Sequence, residues 1–285
     1  MYYNLDGDIK NIQLALEWAY QLKMWLEVGE FVDNLVEFLD RRGLWNELVK
    51  YSEIAIETGR EINDKHLIMR HKIFGLGWVK AVRFGKYDEA LVSIQEGKNL
   101  AQELNNEREY AIALRDEGVV YMRVNEYQKA KDLFLASLDI WQKLGDQRWE
   151  IRTLGSIGAN EKRQENLNEA FDFFTEALKK SEETGDSEQI ALNLRRLTEI
   201  WLHRQEFEKA SSAAREGLRI STQLNILDGI AVCSMLLAKT EYELGKTDNA
   251  KELAEKAMEI FIKLGTKREL DETQALLAQI EAEAG

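Results

Sequence analysis

YQKAKDLFLASLDIWQKLGD (residues 127–146) and, forty residues on, LNEAFDFFTEALKKSEETGD (residues 167–186) are two copies of one pattern. Superposed, they set Ala130 on Ala170, Phe134 on Phe174, Ser137 on Ala177, Leu138 on Leu178 and Gly145 on Gly185. Extending the period in both directions gives a ladder: Ala90, Ala130, Ala170, Ala210 and Ala250. A period this constant marks one supersecondary unit used repeatedly, each copy burying its apolar face against its neighbours.

Counting from the ladder alanine as position 0, position +7 is always small: Gly97, Ser137, Ala177, Gly217 and Ala257. Position +15 is Asn105, Gly145, Gly185, Asn225 or Gly265, the residue types that tolerate the left-handed conformation closing a helix. The stretch from −3 to +14 therefore reads as one helix with its stop signal in every copy. Before it, Gly85, Asn125, Glu165, Gln205 and Gly245 at −5 read as a short turn. An apolar residue follows at −3 in Tyr87, Tyr127, Leu167 and Phe207. Upstream lies another helical pattern, for example 110–124 and 189–203. At −12 it carries Gly118, Gly158, Thr198 and Ala238, small enough for a close crossing; Trp78 breaks that rule, so the first pair is expected to pack differently. Asp146 and Asp186 are placed to cap the next helix, and Thr266 with Glu269 has the spacing of a capping box. The expected fold is all-α: a right-handed α-solenoid of antiparallel helix pairs, with repeats at 66–106, 107–146, 147–186, 187–226 and 227–266. A capping helix is expected at 267–285, with Leu270, Thr273, Leu277 and Ile280 inward and Glu272, Gln279 and Glu283 outward.

The pattern Leu114-x-x-x-Gly118-x-x-Tyr121, then Ala130, Phe134 and Ser137, resembles a tetratricopeptide repeat, as does Leu154, Gly158, Ala170, Phe174, Ala177. Its longer period, with Leu-Gly-Asp where a closing proline usually stands, is similar to the long repeats of the Leu-Gly-Asn repeat scaffolds and of bacterial signalling ATPases. The resemblance covers roughly residues 66–285 and implies a surface for binding proteins rather than a catalytic pocket.

Residues 1–65 read as an off-period helical segment, a cap or a linker. Gly43 and Leu48 align with Gly85 and Ala90 at 42 residues instead of 40. Asn11-Ile-Gln-Leu-Ala-Leu-Glu-Trp18 resembles the stretch that opens the helical sensor of signal-transduction ATPases with numerous domains (STAND proteins), with Ile12, Gln13 and Leu14 departing from that wording. The alternative is an amphipathic capping helix with Leu16 and Trp18 buried.

The absence of proline suits long helices joined by tight turns. With 38 basic and 51 acidic residues the chain carries a net charge of −13, which argues against a nucleic-acid partner. No run approaches the ~20 apolar residues of a membrane span. The N-terminus lacks a signal-peptide pattern, so a cytoplasmic location is the expectation. One cysteine, Cys233, excludes an intramolecular disulfide and, on its apolar stretch, is expected to be buried. His66, His71 and His203 lack metal-ligand spacing, no phosphate-binding loop is written in the chain, and no catalytic constellation stands out; neither an enzyme nor a cofactor is implied.

The register does bring out a charge pattern. Position −7 holds Arg83, Arg123, Arg163, His203 and Glu243, and Arg115 and Arg195 stand at −15, with Arg152 and Lys162 nearby. Met122, Leu202 and Tyr242 at −8 offer an apolar floor. The tetratricopeptide resemblance places these first helices along the ligand groove. The expectation is a basic groove for a protein or peptide that is acidic or phosphorylated, with pairing of these arginines to nearby acids as the alternative. Two functions fit: the sensor of a STAND-type regulator, or a stand-alone adaptor that binds an acidic partner.

Overall fold

The structure, a computed structural model, describes residues 9–284; the side chains of Glu283 and Ala284 lie outside the description, as do those of Ile9 and Arg41. The described residues are helices joined by tight turns, and they divide into two compact units, residues 1–145 and 146–285.

In the second unit α9 (Gln147–Arg163) pairs with α10 (Leu167–Thr184), α11 (Ser187–His203) with α12 (Phe207–Gln223), and α13 (Leu227–Glu243) with α14 (Thr247–Leu264); α15 (Lys267–Ala284) closes the stack. The first unit runs α1 (Ile9–Gln21), α2 (Trp25–Arg41) and α3 (Trp45–Glu61). A composite rod of α4 (Lys65–Arg70), a π-helical stretch (His71–Trp78) and α5 (Val79–Val82) follows, then α6 (Tyr87–Glu103), α7 (Glu107–Arg123) and α8 (Tyr127–Leu144).

The ladder sets the packing. All five ladder alanines are fully buried. A Cβ built on Gly118 would stand 2.7 Å from the Phe134 ring, and one on Gly158 2.6 Å from the Phe174 ring. In these two repeats the small residue at −12 is therefore what lets the first helix rest on the aromatic at +4. Helix ends fall where the stop signals stand: Asn105, Gly145, Gly185, Asn225 and Gly265 all have φ between 50° and 69°. The −5 residues are left-handed as well, including Glu165 (φ 62°) and Gln205 (φ 57°), which the sequence reading treats only as turns.

Three expectations need correction. The first helices begin earlier than 110 and 189, at Glu107 and Ser187, because Asn106 and Asp186 accept hydrogen bonds from the backbone N–H of Glu109 (3.1 Å) and Gln189 (3.2 Å). Asp146 caps α9 in the same way, through Trp149. The capping box at Thr266 does not form: its buried hydroxyl has no hydrogen-bond partner. Trp18 is 59% exposed, whereas Leu16 is buried as expected.

The offset in the N-terminal third has a local cause. Left-handed residues stand at Lys23, Gly43 and Asn63, twenty apart, and the next is Gly85. The two extra residues fall in the rod holding the π-helical stretch, whose i→i+5 bonds close each turn one residue later than an α-helix does. That shift moves the close crossing from Trp78 to Gly77, where an added Cβ would meet Ile94 Cγ1 at 2.4 Å. The first long pair thus packs differently, and the period upstream of it is the same as downstream.

Candidate functional site

The first helices of the second unit share one face. Along it, α9, α11, α13 and α15 enclose an open cavity of about 890 Å³. Its wall repeats the register found in the sequence. Position −8 supplies Lys162, Leu202 and Tyr242; position −15 supplies Arg195 and Met235; position −11 supplies Glu199 and Lys239. A helix turns so that positions 3, 4 and 7 apart share a side, which is why these three registers converge. Leu202, Phe207, Val232, Met235, Leu236 and Tyr242 form an apolar floor.

The rim carries charge of both signs. Lys162 is paired with Glu199. Arg195 Nη1 lies 2.9 Å from Asp228, and Glu272 is shared by Lys239 (3.4 Å) and Arg268 (3.2 Å). Burial raises the Glu272 carboxyl, but Arg268 and Lys239 outweigh it and leave the group below its ordinary value. Lys162 is the exceptional group. Burial first, then the guanidinium groups of Arg196, Arg195, Arg268 and Arg163, push its amine down to about 8. Glu199, its ion-pair partner, does not offset that crowd of cations.

Of the residues expected at a site, Lys162, Arg195, Leu202, His203 and Tyr242 line this cavity. Arg163 is exposed and stands outside the lining, and Arg152 lies over the Trp149 ring at 5.3 Å. In the first unit, Arg83 lies 4.3 Å over the Trp45 ring and 3.9 Å from Asp40. Arg115 bonds Asp116 at 2.8 Å and lies 5.1 Å over the Trp78 ring. Met122 is buried, and Arg123 is half-buried. The expected basic column is thus largely made of arginines engaged with acids or aromatic rings. Sequence reasoning missed Glu199, Asp228 and Glu272 because it looked for basic residues, and Lys239 and Arg268 because they stand outside the −7 and −15 columns it followed. The signal that would have found Glu199 and Lys239 is their place at −11, one turn from Arg195 and Leu202 and from Met235 and Tyr242 respectively. Glu272 and Gln279, expected as the outward polar side of a cap, face the cavity instead.

Cys233 is buried, and burial pushes its thiol up to about 11, the state of an inert structural cysteine. His71 is buried beside Ser52 (3.1 Å) and 3.6 Å from Asp33. No described helix is long and apolar enough to cross a membrane.

Residues 109–183 match the tetratricopeptide repeat family model. No curated protein matches the sequence. Among solved structures, the apo form of RapI is similar over 93% of this chain and 94% of its own, with a TM-score of 0.71 at 17% identity. A Rap protein complexed with competence and sporulation factor is similar over 90% of this chain and 75% of its own (TM-score 0.68, 12% identity). A STAND protein with a tetratricopeptide repeat sensor from Pyrococcus horikoshii is similar over 88% of this chain (TM-score 0.64, 22% identity), and the match spans 43% of that longer protein. The fold is that of tetratricopeptide repeats of the long type, an α-solenoid of helix pairs.

Proposed function

We propose that the chain is a non-catalytic recognition module that holds a peptide or protein segment in the first-helix groove of its second unit. The observation that carries this reading is the groove itself: an apolar floor at Leu202, Met235 and Tyr242 beneath a rim of alternating charge. Such a lining suits a polypeptide, whose side chains, backbone dipoles and ionised groups demand both. The crowd of cations around Lys162 supports an acidic residue or phosphate on the ligand at that end, with an apolar side chain seated near Tyr242. Lys162 is itself paired with Glu199, and Arg195 and Arg268 of that crowd are paired with Asp228 and Glu272, so a wholly acidic ligand would have to displace these carboxylates.

The test is a titration of the full chain with fluorescent peptides selected on it from a random display library. Lys162→Met and Tyr242→Ala are each expected to weaken binding at least tenfold, while Lys179→Glu, exposed on the second helix α10 and outside the cavity lining, leaves it within twofold. Selected peptides that bind Tyr242→Ala as well as they bind the parent chain would overturn the reading.

Within that reading, the sensor of a STAND-type regulator is the first assignment. The stretch from Asn11 to Trp18 supports it, together with the likeness to the Pyrococcus protein. Ligand in the groove would then shift the regulator between two states by its differential affinity for them. A P-loop ATPase segment encoded upstream in the same reading frame is the expected finding; its absence would leave the adaptor reading, in which the same groove recruits a partner.

A further inference from the structure

Two lysines line the groove, and their surroundings differ. Lys239 on α13 meets Glu272 at 3.4 Å. Lys162, near the end of α9, likewise meets Glu199, and its side chain is 37% exposed. Four guanidinium groups bear on Lys162 as well, those of Arg196, Arg195, Arg268 and Arg163.

The packing of α9 against its neighbours holds the first of these cations in place. Gly155 stands about two turns before Lys162 on α9, and a Cβ there would meet Arg196 Nη1 at 2.2 Å, so the missing side chain makes room for the guanidinium. The same Nη1 donates to Asn193 Oδ1 at 3.2 Å, and Arg196 lies 5.3 Å over the Phe174 ring. An amine held among fixed cations and half withdrawn from water favours its uncharged form, and the uncharged form is the nucleophile. Burial and then these guanidinium groups push the Lys162 amine down to about 8.

We infer that Lys162 captures a 2-oxo acid with an apolar side chain as a reversible imine. Three parts of the lining each meet one part of such a molecule: the Lys162 amine its carbonyl carbon, Arg195 and Arg268 its carboxylate, and Leu202, Met235 and Tyr242 its side chain. Arg195 gives Nη1 to Asp228 and Arg268 gives Nε to Glu272, so each guanidinium keeps further donors for a carboxylate. In the step, the nitrogen lone pair attacks the carbonyl carbon, and the carbonyl electron pair moves to oxygen, which takes up a proton. The resulting carbinolamine expels that oxygen as water, which carries off both hydrogens of the free amine, and a C=N bond replaces the C=O bond. Nothing is oxidised or reduced. Glu199, in contact with the amine, is placed to pass protons from nitrogen to oxygen. The product suits its surroundings, because a neutral imine removes one charge from a crowd of cations and the carboxylate adds one of opposite sign. The capture is binding without turnover. It goes beyond peptide recognition in the same groove, since no peptide takes part in it.

The test incubates the full chain near neutral pH with phenylpyruvate and sodium cyanoborohydride, which reduces an imine to a stable secondary amine, and locates the adduct by peptide mass spectrometry. Adduct on Lys162 is expected to exceed that on Lys239 at least tenfold, and Lys162→Met to remove it with circular dichroism unchanged. Phenylacetaldehyde, which lacks the carboxylate, serves as the second probe. Arg195→Gln is expected to lower the preference of Lys162 for phenylpyruvate over phenylacetaldehyde at least threefold, a ratio in which the reactivity of the amine itself cancels. Adduct spread over the lysines according to exposure, with Lys162 no richer than Lys239, overturns the inference, as does an Arg195→Gln chain that keeps the parent's preference. A chain that binds library-selected peptides yet leaves Lys162 unlabelled loses this inference and keeps the peptide reading; labelling without peptide binding does the reverse.

Discussion

Glu165 sits at φ 62°, a conformation in which its Cβ crowds the following carbonyl oxygen. Asn125 occupies the equivalent turn at φ 66°, and asparagine bears this geometry better. Glu165→Asn should therefore stabilise the fold by about 0.5 kcal/mol and Asn125→Glu destabilise it comparably, read from urea midpoints. Ala170, fully buried where α9 and α10 cross, makes the opposite case. Ala170→Leu should overpack that contact and cost ~1–3 kcal/mol; an unchanged melting curve would mean that the helices are not packed in this register. Asp116 adds a pH dependence. Burial, against the pull of Arg115, pushes its carboxyl up from an ordinary 3.8 to about 6. Between those values the folded state keeps a proton that the unfolded state releases, so this group's contribution falls as pH rises from 3.8 to 6 and is constant above. The stability of the parent chain minus that of Asp116→Asn should fall by on the order of 2 kcal/mol across that window. Such effects hide from sequence reading because Asp116 looks like any surface acid of a charged helix, and only packing tells otherwise.

At the scale of the element, helix limits were legible wherever a residue type does one job. Glycine and asparagine at +15 stop the second helix of each of the five ladder repeats, and Asp146 and Asp186 cap the next. They were illegible where the type was right and the geometry absent, as at Thr266. Removing a bonded cap should matter and removing an idle one should not: Asp186→Ala is expected to cost about 1 kcal/mol, Thr266→Ala less than about 0.5 kcal/mol, by thermal unfolding. The π-helical stretch shows another limit. Periodicity reveals that two residues are extra between Gly43 and Gly85, but not which turn absorbs them, since any helix between those glycines could have widened. Gly75 and Gly77, pressed against Ser52 and Ile94, are the local features that place the widening here.

At the scale of the whole chain, the repeat carries the fold and the register carries half of the candidate site. Lys162, Arg195, Leu202, His203 and Tyr242 emerged from columns in the sequence, and the structure gathers them around one groove. Their counter-charges did not emerge, because an ion pair between helices 33 to 37 residues apart leaves no local trace, as with Arg195 and Asp228. Binding in the groove should also respond to pH. An acidic ligand group beside Lys162 raises its amine from about 8, so the complex takes up a proton near that pH and affinity should fall as pH rises above 8. Calorimetry in buffers of different ionisation enthalpy reads that uptake directly, and Lys162→Met should abolish it. The central claim, that recognition takes place on the first helices of the second unit, is tested most directly by hydrogen exchange of the full chain with and without a saturating library-selected peptide. Slowed exchange concentrated in α11, α13 and α15, and lost with Tyr242→Ala, is the predicted result; protection confined to the second helices α10, α12 and α14, or to the first unit, would contradict it.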